Sequence, residues 1–278
     1  FYVRWGNTLS PSFNVCNGVR QGSIISPVYF NVYIDDLSML LTSKKCGCNL
    51  NGVNFNHLIY ADDTVLISPS PHALQKLISY CVSYADQNEI LYNSNKSKIM
   101  CIQPKGKKDL NVPVFNLYGN AIDVVSKYKY LGFFMSQDMK DDIDINRQIR
   151  GLYTRGNLII KCFKHCSEPV KTLLFKTFCS NMYCAHLWSN FTNSVFRKLK
   201  TSFNRVYRML MNLERRASIS QSMLYSNVKA FDMNVRHYMY TFKCRLEKSE
   251  NLVINTLLDS FYYCTSDIFN MWQKKLYA

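Results

Sequence analysis

The chain has 278 residues, 47% of them hydrophobic, with only 10 Gly and 7 Pro. That composition can bury a sizeable core and excludes a disordered or collagen-like chain. A net charge of +15, from 34 Lys and Arg against 19 Asp and Glu, points to an anionic partner. Residues 1–140 carry 13 basic and 9 acidic side chains, net +4, and residues 141–278 carry 21 and 10, net +11. Nucleic acid is the simplest polyanion for the second half. No stretch forms a clean basic amphipathic helix for an anionic membrane surface, no apolar run reaches 18 residues, and no signal peptide is visible.

In chain order, "SPSFNVCNGVRQG" (residues 10–22) reads as a strand leading to a Gly-punctuated turn. "SIISPVYFNVYIDDLSMLL" then reads as a helix, with Ser26 as cap and Pro27 in the first turn. Phe30, Tyr33, Ile34 and Leu37 form its apolar stripe at i, i+3, i+4 and i+7. Leu58–Tyr60 and Val65–Ile67 are two short strands around an acidic turn. "SPHALQKLISYCVSYADQN" is a second helix: Ser70 caps, Pro71 starts it, and Leu74, Leu77, Ile78, Cys81 and Ala85 share a face. Short strands follow in "KSKIMCI", "VPVFNLYG" and "SKYKYLGFFMS". The first 136 residues therefore read as an α+β layer. After Asp138 the sequence is basic, rich in Tyr and Phe and almost wholly helical, which sets a boundary near 137.

The chain has 11 cysteines, an odd number, set among apolar neighbours. Reduced, mostly buried thiols of an intracellular protein are expected. Cys162, Cys166, Cys179, Cys184 and His186 invite a zinc reading, but the spacings C-x3-C and C-x4-C-x-H match no common finger.

The acidic turn, "HLIYADDTVLIS", places Asp62 beside Asp63. Adjacent like charges oppose each other's ionisation. Either bulk water at a hairpin turn relieves the repulsion, or the pair is presented to a hard cation such as Mg²⁺, which prefers oxygen ligands. Those four turn residues leave both readings open.

Forty residues upstream stands "GVRQGSIISPVYFNVYIDDL". The pattern RQGxxxSPxxFN followed by YADD resembles the reverse transcriptases of non-LTR retrotransposons, of the kind found in jockey-like elements. Two further matches lie in order: "LYNSNKSKIM" resembles the segment supplying a Lys near the polymerase site, and "YKYLGFFMS" the strand pair called the primer grip. The basic helical part resembles the thumb and C-terminal region of the same enzymes. The resemblance implies an α+β, right-hand polymerase fold: a partial palm at 1–136, a helical thumb at 137–215 and a C-terminal helical region at 216–278.

It also implies roles. Asp62 becomes the direct ligand and Asp63 an auxiliary ligand in a site that holds two Mg²⁺ ions in the intact enzyme. Lys96 becomes an acid for the leaving pyrophosphate. Arg20, Gln21, Gly22, Ser26 and Pro27 lie along template and nucleotide, with Arg20 offering charge to phosphate and Gly22 allowing close approach. Tyr130, Leu131 and Gly132 hold the primer. The implied partners are an RNA template, a DNA primer and dNTP, with no organic cofactor and no membrane. The implied workplace is the nucleus, although the cytoplasm stays open. Taken without the resemblance, each of these residues also fits an ordinary turn, a solvated charge or a plain strand.

Such enzymes need a further Asp tens of residues upstream of the RQG segment, and none of the 19 residues before Arg20 is acidic. Asp35 and Asp36 sit at the far end of their helix and read as solvated. Asp141, Asp142 and Asp144 read as a charged linker. The expectation is an N-terminally truncated polymerase that is inactive alone, the alternative being a non-catalytic nucleic-acid-binding relic of one.

Overall fold

Two helices, each opened by a Ser-Pro dipeptide, organise the first half. The computed structural model describes residues 1–14, 22–102 and 111–276. Within them the elements run β1 (Arg4–Trp5), β2 (Thr8–Leu9), α1 (Ser26–Ser43), β3 (Cys48–Leu50), β4 (Val53–Phe55), β5 (His57–Tyr60), β6 (Asp63–Leu66), α2 (Pro71–Gln87), β7 (Lys98–Ile99), β8 (Phe115–Leu117), β9 (Asn120–Val124), β10 (Lys127–Tyr130) and β11 (Phe133–Ser136). Helices follow: α3 (Asp142–Cys162), α4 (Glu168–Leu174) continued by a π-turn at Phe175–Cys179, α5 (Asn193–Leu210), α6 (Ile219–Tyr225), α7 (Phe231–Glu247), α8 (Leu252–Leu258), α9 (Phe261–Cys264) and α10 (Asp267–Leu276). Small sheets and many helices make a mixed α and β structure. Among the described residues no helix is long and apolar enough to cross a membrane.

The chain divides into two compact units, Phe1–Asn93 with Phe115–Ala121, and Ser94–Val114 with Ile122–Ala278. This division falls elsewhere than the change of composition near residue 137, because strands β10 and β11 cluster with the helices that follow them.

In the first unit α1 and α2 bury Ile34, Leu37, Leu41, Leu77, Cys81 and Tyr84 in a common core. Full burial of each Leu contributes about 1.5–3 kcal/mol. Tyr84 ties the helices together by donating to the Tyr33 carbonyl at 2.9 Å. The apolar stripe of α1 is Ile34, Leu37 and Leu41; Phe30 packs at its margin, and Tyr33 is largely exposed. Ser70 caps α2 as expected, accepting from the Ala73 amide.

The expected cap of α1 is corrected by one residue. Ile25 holds the cap position with helical dihedrals (φ −87°, ψ −21°) and no side-chain cap bond, and Ser26 is already inside the helix. A capping Ser needs extended dihedrals, and the chain entering α1 is already helical at Ile25. Of the segment 10–22, expected to lead as a strand into a turn, only the ends are described. Ser10–Asn14 has no regular structure, and Val15–Gln21 lies outside the described residues. The pairing occurs upstream, in a small antiparallel hairpin with Arg4 opposite Leu9. Pro11, which has no amide proton to donate, follows after Ser10.

In the second unit α3 and α5 cross closely. A Cβ on Gly156 would lie 2.5 Å from Val206 Cγ1, so only glycine permits this approach. Phe175 packs edge-on against Phe203 and Tyr207, with centroids 5.1 and 5.0 Å away. Trp188, Phe203 and Tyr207 are fully buried, and Tyr153 packs at the edge of that core. These late aromatics are therefore core residues.

Candidate active site and primer-side hairpin

The acidic turn forms as read. Strands β5 and β6 pair antiparallel, with Tyr60 opposite Asp63 and His57 opposite Leu66. Ala61 and Asp62 close the loop, and Ala61 takes φ +49°, a left-handed conformation that costs a non-glycine residue about 1–2 kcal/mol. Asp62 and Asp63 are both exposed at this tip. Among the described residues, neither carboxylate has a hydrogen-bond or ion-pair partner.

The base of the hairpin is anchored by a network absent from the sequence reading. Asn56 is buried, and its Nδ2 donates to the Leu41 carbonyl at 2.5 Å. That bond fixes the amide, leaving Oδ1 to face His57 Nδ1 at 2.7 Å. An amide oxygen only accepts, so Nδ1 carries a proton, while Nε2 shares a hydrogen bond with Ser38 Oγ at 2.8 Å. Burial lowers the His57 pKa, which favours the neutral ring. The contacts move from Leu41 to Ser38 as the chain moves from Asn56 to His57, so β5 runs back along α1. The only sequence signal for this anchor was polar residues in "NFNH", which by itself suggests nothing more than a turn.

Gly22, Ser26 and Pro27 belong to the same unit as Asp62 and Asp63. Gly22 sits in an exposed turn at φ +82° with open space where a side chain would be, and Ser26 and Pro27 form the first turn of α1. Arg20 and Gln21 lie outside the described residues. Asp35 and Asp36 are exposed on α1, as expected. Lys96 is exposed in the turn before β7 and, like Tyr130, Leu131 and Gly132, belongs to the second unit.

The hairpin of β10 and β11 pairs Tyr130 with Phe133 around Leu131 (φ +45°) and Gly132 (φ +83°). Two consecutive positive φ values match the twist of a two-residue hairpin. The expectation of a solvated linker at Asp141–Asp144 is corrected. Asp144 is fully buried and accepts from Trp188 Nε1 at 2.9 Å, Arg147 Nε at 2.7 Å and the Phe134 amide at 3.2 Å. Asp141 accepts from the Ser189 and Asn190 amides at 2.7 Å each, and Asp142 from the Thr192 amide at 2.8 Å. Their spacing at a helix start was visible in sequence, but Trp188, Ser189, Asn190 and Thr192 lie 44 to 50 residues away.

Cys179 and Cys184 are buried, and burial pushes both thiols up to about 11. Cys162 is exposed, and His186 packs on the Phe242 ring with centroids 4.4 Å apart. Among the described residues no group of three or more His, Cys, Asp and Glu is arranged to hold a metal. Asp62 and Asp63 nevertheless fit a hard divalent cation in donor type: two exposed carboxylates, side by side, with no competing described partner. Further ligands would come from water, substrate phosphates and other protein groups.

An exposed Asp-Asp pair on a two-residue hairpin, packed on helices in a small α and β unit, is an arrangement found in nucleic-acid polymerases. Residues 2–135, just under half of the chain, match the family described as reverse transcriptase (RNA-dependent DNA polymerase). Its relatives are of the non-LTR retrotransposon kind. The chain is 27% identical over 129 residues to the "Retrovirus-related Pol polyprotein from type-2 retrotransposable element R2DM" of Drosophila melanogaster, covering 44% of this chain and 12% of that protein. It is 25% identical over 137 residues to the Pol polyprotein from type-1 retrotransposable element R2 of Popillia japonica, covering 47% of this chain and 23% of that protein. The chain thus spans less than a quarter of the length of either relative.

Proposed function

We propose that this chain is part of the RNA-directed DNA polymerase of a non-LTR retrotransposon, copying an RNA template from a DNA primer with dNTP as substrate. Residues 1–136 are part of its palm, 137–215 its thumb and 216–278 a C-terminal helical region. The observation that carries the reading is the exposed Asp62–Asp63 pair at the hairpin tip, inside the segment that matches the family. Two Mg²⁺ ions, when bound, supply charge stabilisation to the attacking and leaving oxygens of nucleotidyl transfer. Asp62 is the direct ligand and Asp63 the auxiliary one, which explains why two like charges stand together. Lys96 donates a proton toward the leaving pyrophosphate. Gly22, with Arg20, Gln21, Ser26 and Pro27, lies along template and nucleotide, and Tyr130–Gly132 holds the primer. Such an enzyme works on nuclear DNA.

The test is primer extension on an RNA template by a polymerase that contains this chain together with the upstream segment of a related intact element. Asp62→Asn should lower Mg²⁺-dependent extension by at least about a thousandfold while leaving RNA retention on filters nearly unchanged. Full extension by the variant would overturn the assignment.

A second reading, nucleic-acid binding without catalysis, is favoured by one observation: residues 141–278 carry net charge +11. Salt-dependent RNA binding by a fusion that never extends a primer would select it.

A further inference from the structure

We infer that Tyr183 is a positioning residue for the primer: it clamps the Leu131–Gly132 turn from beneath and fixes where that turn presents its backbone. The inference rests on the polymerase reading above and adds a residue to which that reading gave no role.

Tyr183 Oη donates to the Leu131 carbonyl at 2.7 Å. Its ring lies so close to the turn that a Cβ on Gly132 would be 2.8 Å from Tyr183 Cε1. Gly132 is therefore required twice, once for φ +83° and once for the space its missing side chain leaves to the ring. Without the hydroxyl, the turn carbonyl would have only water to hold it, since Tyr183 is 52% exposed.

The clamp is itself held. Gln148 is buried and donates its Nε2 to the Tyr183 carbonyl at 2.7 Å. Asp144 binds Trp188, five residues further on, and the Phe134 amide of the hairpin strand. Asp141 and Asp142 pin Ser189, Asn190 and Thr192 to the start of α3. The segment 183–192 and the hairpin are thus fixed to one helix, and Tyr183 is where the segment reaches the turn. A primer strand resting on the turn would meet a backbone whose position is set by this chain of bonds, and prepaid positioning is what a bound reactant needs.

Tyr183→Phe keeps the ring and removes the clamp bond, together with the hydroxyl's contact to the neighbouring Cys184 thiol. In the 278-residue chain, amide hydrogen exchange in peptides covering residues 131–134 should accelerate about five- to tenfold, the worth of one hydrogen bond, with exchange in α5 unchanged. In a polymerase carrying this chain, KM for primer–template should rise by a similar factor, with kcat and the KM for dNTP within about twofold. Gln148→Ala, which frees the segment instead of the hydroxyl, should move both readouts the same way. Unchanged exchange at 131–134 in Tyr183→Phe would overturn the clamp. Faster exchange with an unchanged primer KM would overturn its role in positioning. If the unsubstituted polymerase does not extend a primer, the polymerase reading fails and the positioning role fails with it, while the exchange data still decide the clamp.

Discussion

Trp188 donates its indole N–H to Asp144 at 2.9 Å, and both side chains have no exposure to solvent. The carboxylate also takes Arg147 and the Phe134 amide, so a buried charge is paired and saturated. Breaking such a site from one side is costly, because the remaining groups stay buried and unpaired. Asp144→Ala should destabilise the second unit by about 3–5 kcal/mol, seen as a large fall in its denaturation midpoint. Trp188→Phe, which leaves the carboxylate its other two donors, should cost less. A loss below about 1 kcal/mol in Asp144→Ala would contradict the network.

Asp141 gives a pH dependence. Burial raises its pKa to about 6, against the opposing effect of the Asn190 and Ser189 amides, and the nearby Asp144 and Asp142 charges raise it further. A folded-state value above the unfolded value of 3.8 means that the folded protein binds the extra proton between pH 4 and 6. This contribution to stability is complete below pH 3.8 and lost as pH rises through 6. Asp141→Asn should remove it, so the difference in unfolding free energy between wild type and variant should change by about 2–3 kcal/mol across that window. A flat difference would reject the shifted titration.

Gly156→Ala tests the crossing of α3 and α5. The new methyl would sit 2.5 Å from Val206 Cγ1, and overpacking of this sort costs about 1–3 kcal/mol. Adding Val206→Ala should recover part of the loss, giving a favourable coupling in a double-mutant cycle. Strict additivity of the two losses would mean that the helices separate instead of clashing.

The exposed side of α5 carries Arg197, Lys198 and Arg205. If residues 141–278 bind nucleic acid through this surface, Arg197→Ala with Arg205→Ala should weaken RNA binding uniformly across sequences. The slope of log affinity against log salt should become shallower by about 1–2. An unchanged slope would move the contact to another face.

The helix α2 was legible because every cue was local: Ser70, Pro71 and an apolar stripe within 17 residues. The acidic hairpin was legible for the same reason. The hairpin of β3 and β4, with Asn51 and Gly52 at its turn, carried an equally local signal, the Asn-Gly pair, that the reading passed over. Asp141, Asp142 and Asp144 were misjudged because acidic spacing alone cannot distinguish a solvated helix start from one that receives a distant segment. Their burial depends on Trp188 through Thr192, and nothing in residues 138–144 announces that partner. Tyr183 and the anchor of Ser38, Asn56 and His57 were missed for the same reason: each joins side chains that only the fold brings together.

The three tryptophans are unequally placed, with Trp5 86% exposed and Trp188 and Trp272 buried. Trp5 belongs to the first compact unit and the other two to the second. An indole already in water hardly changes its emission when its surroundings unfold, whereas a buried one shifts to the red. Intrinsic fluorescence therefore reads out the helical unit almost alone and is nearly blind to the unit that carries Asp62. A fluorescence melt and a circular-dichroism melt of the same sample need not coincide, and their separation measures how independently the two units unfold.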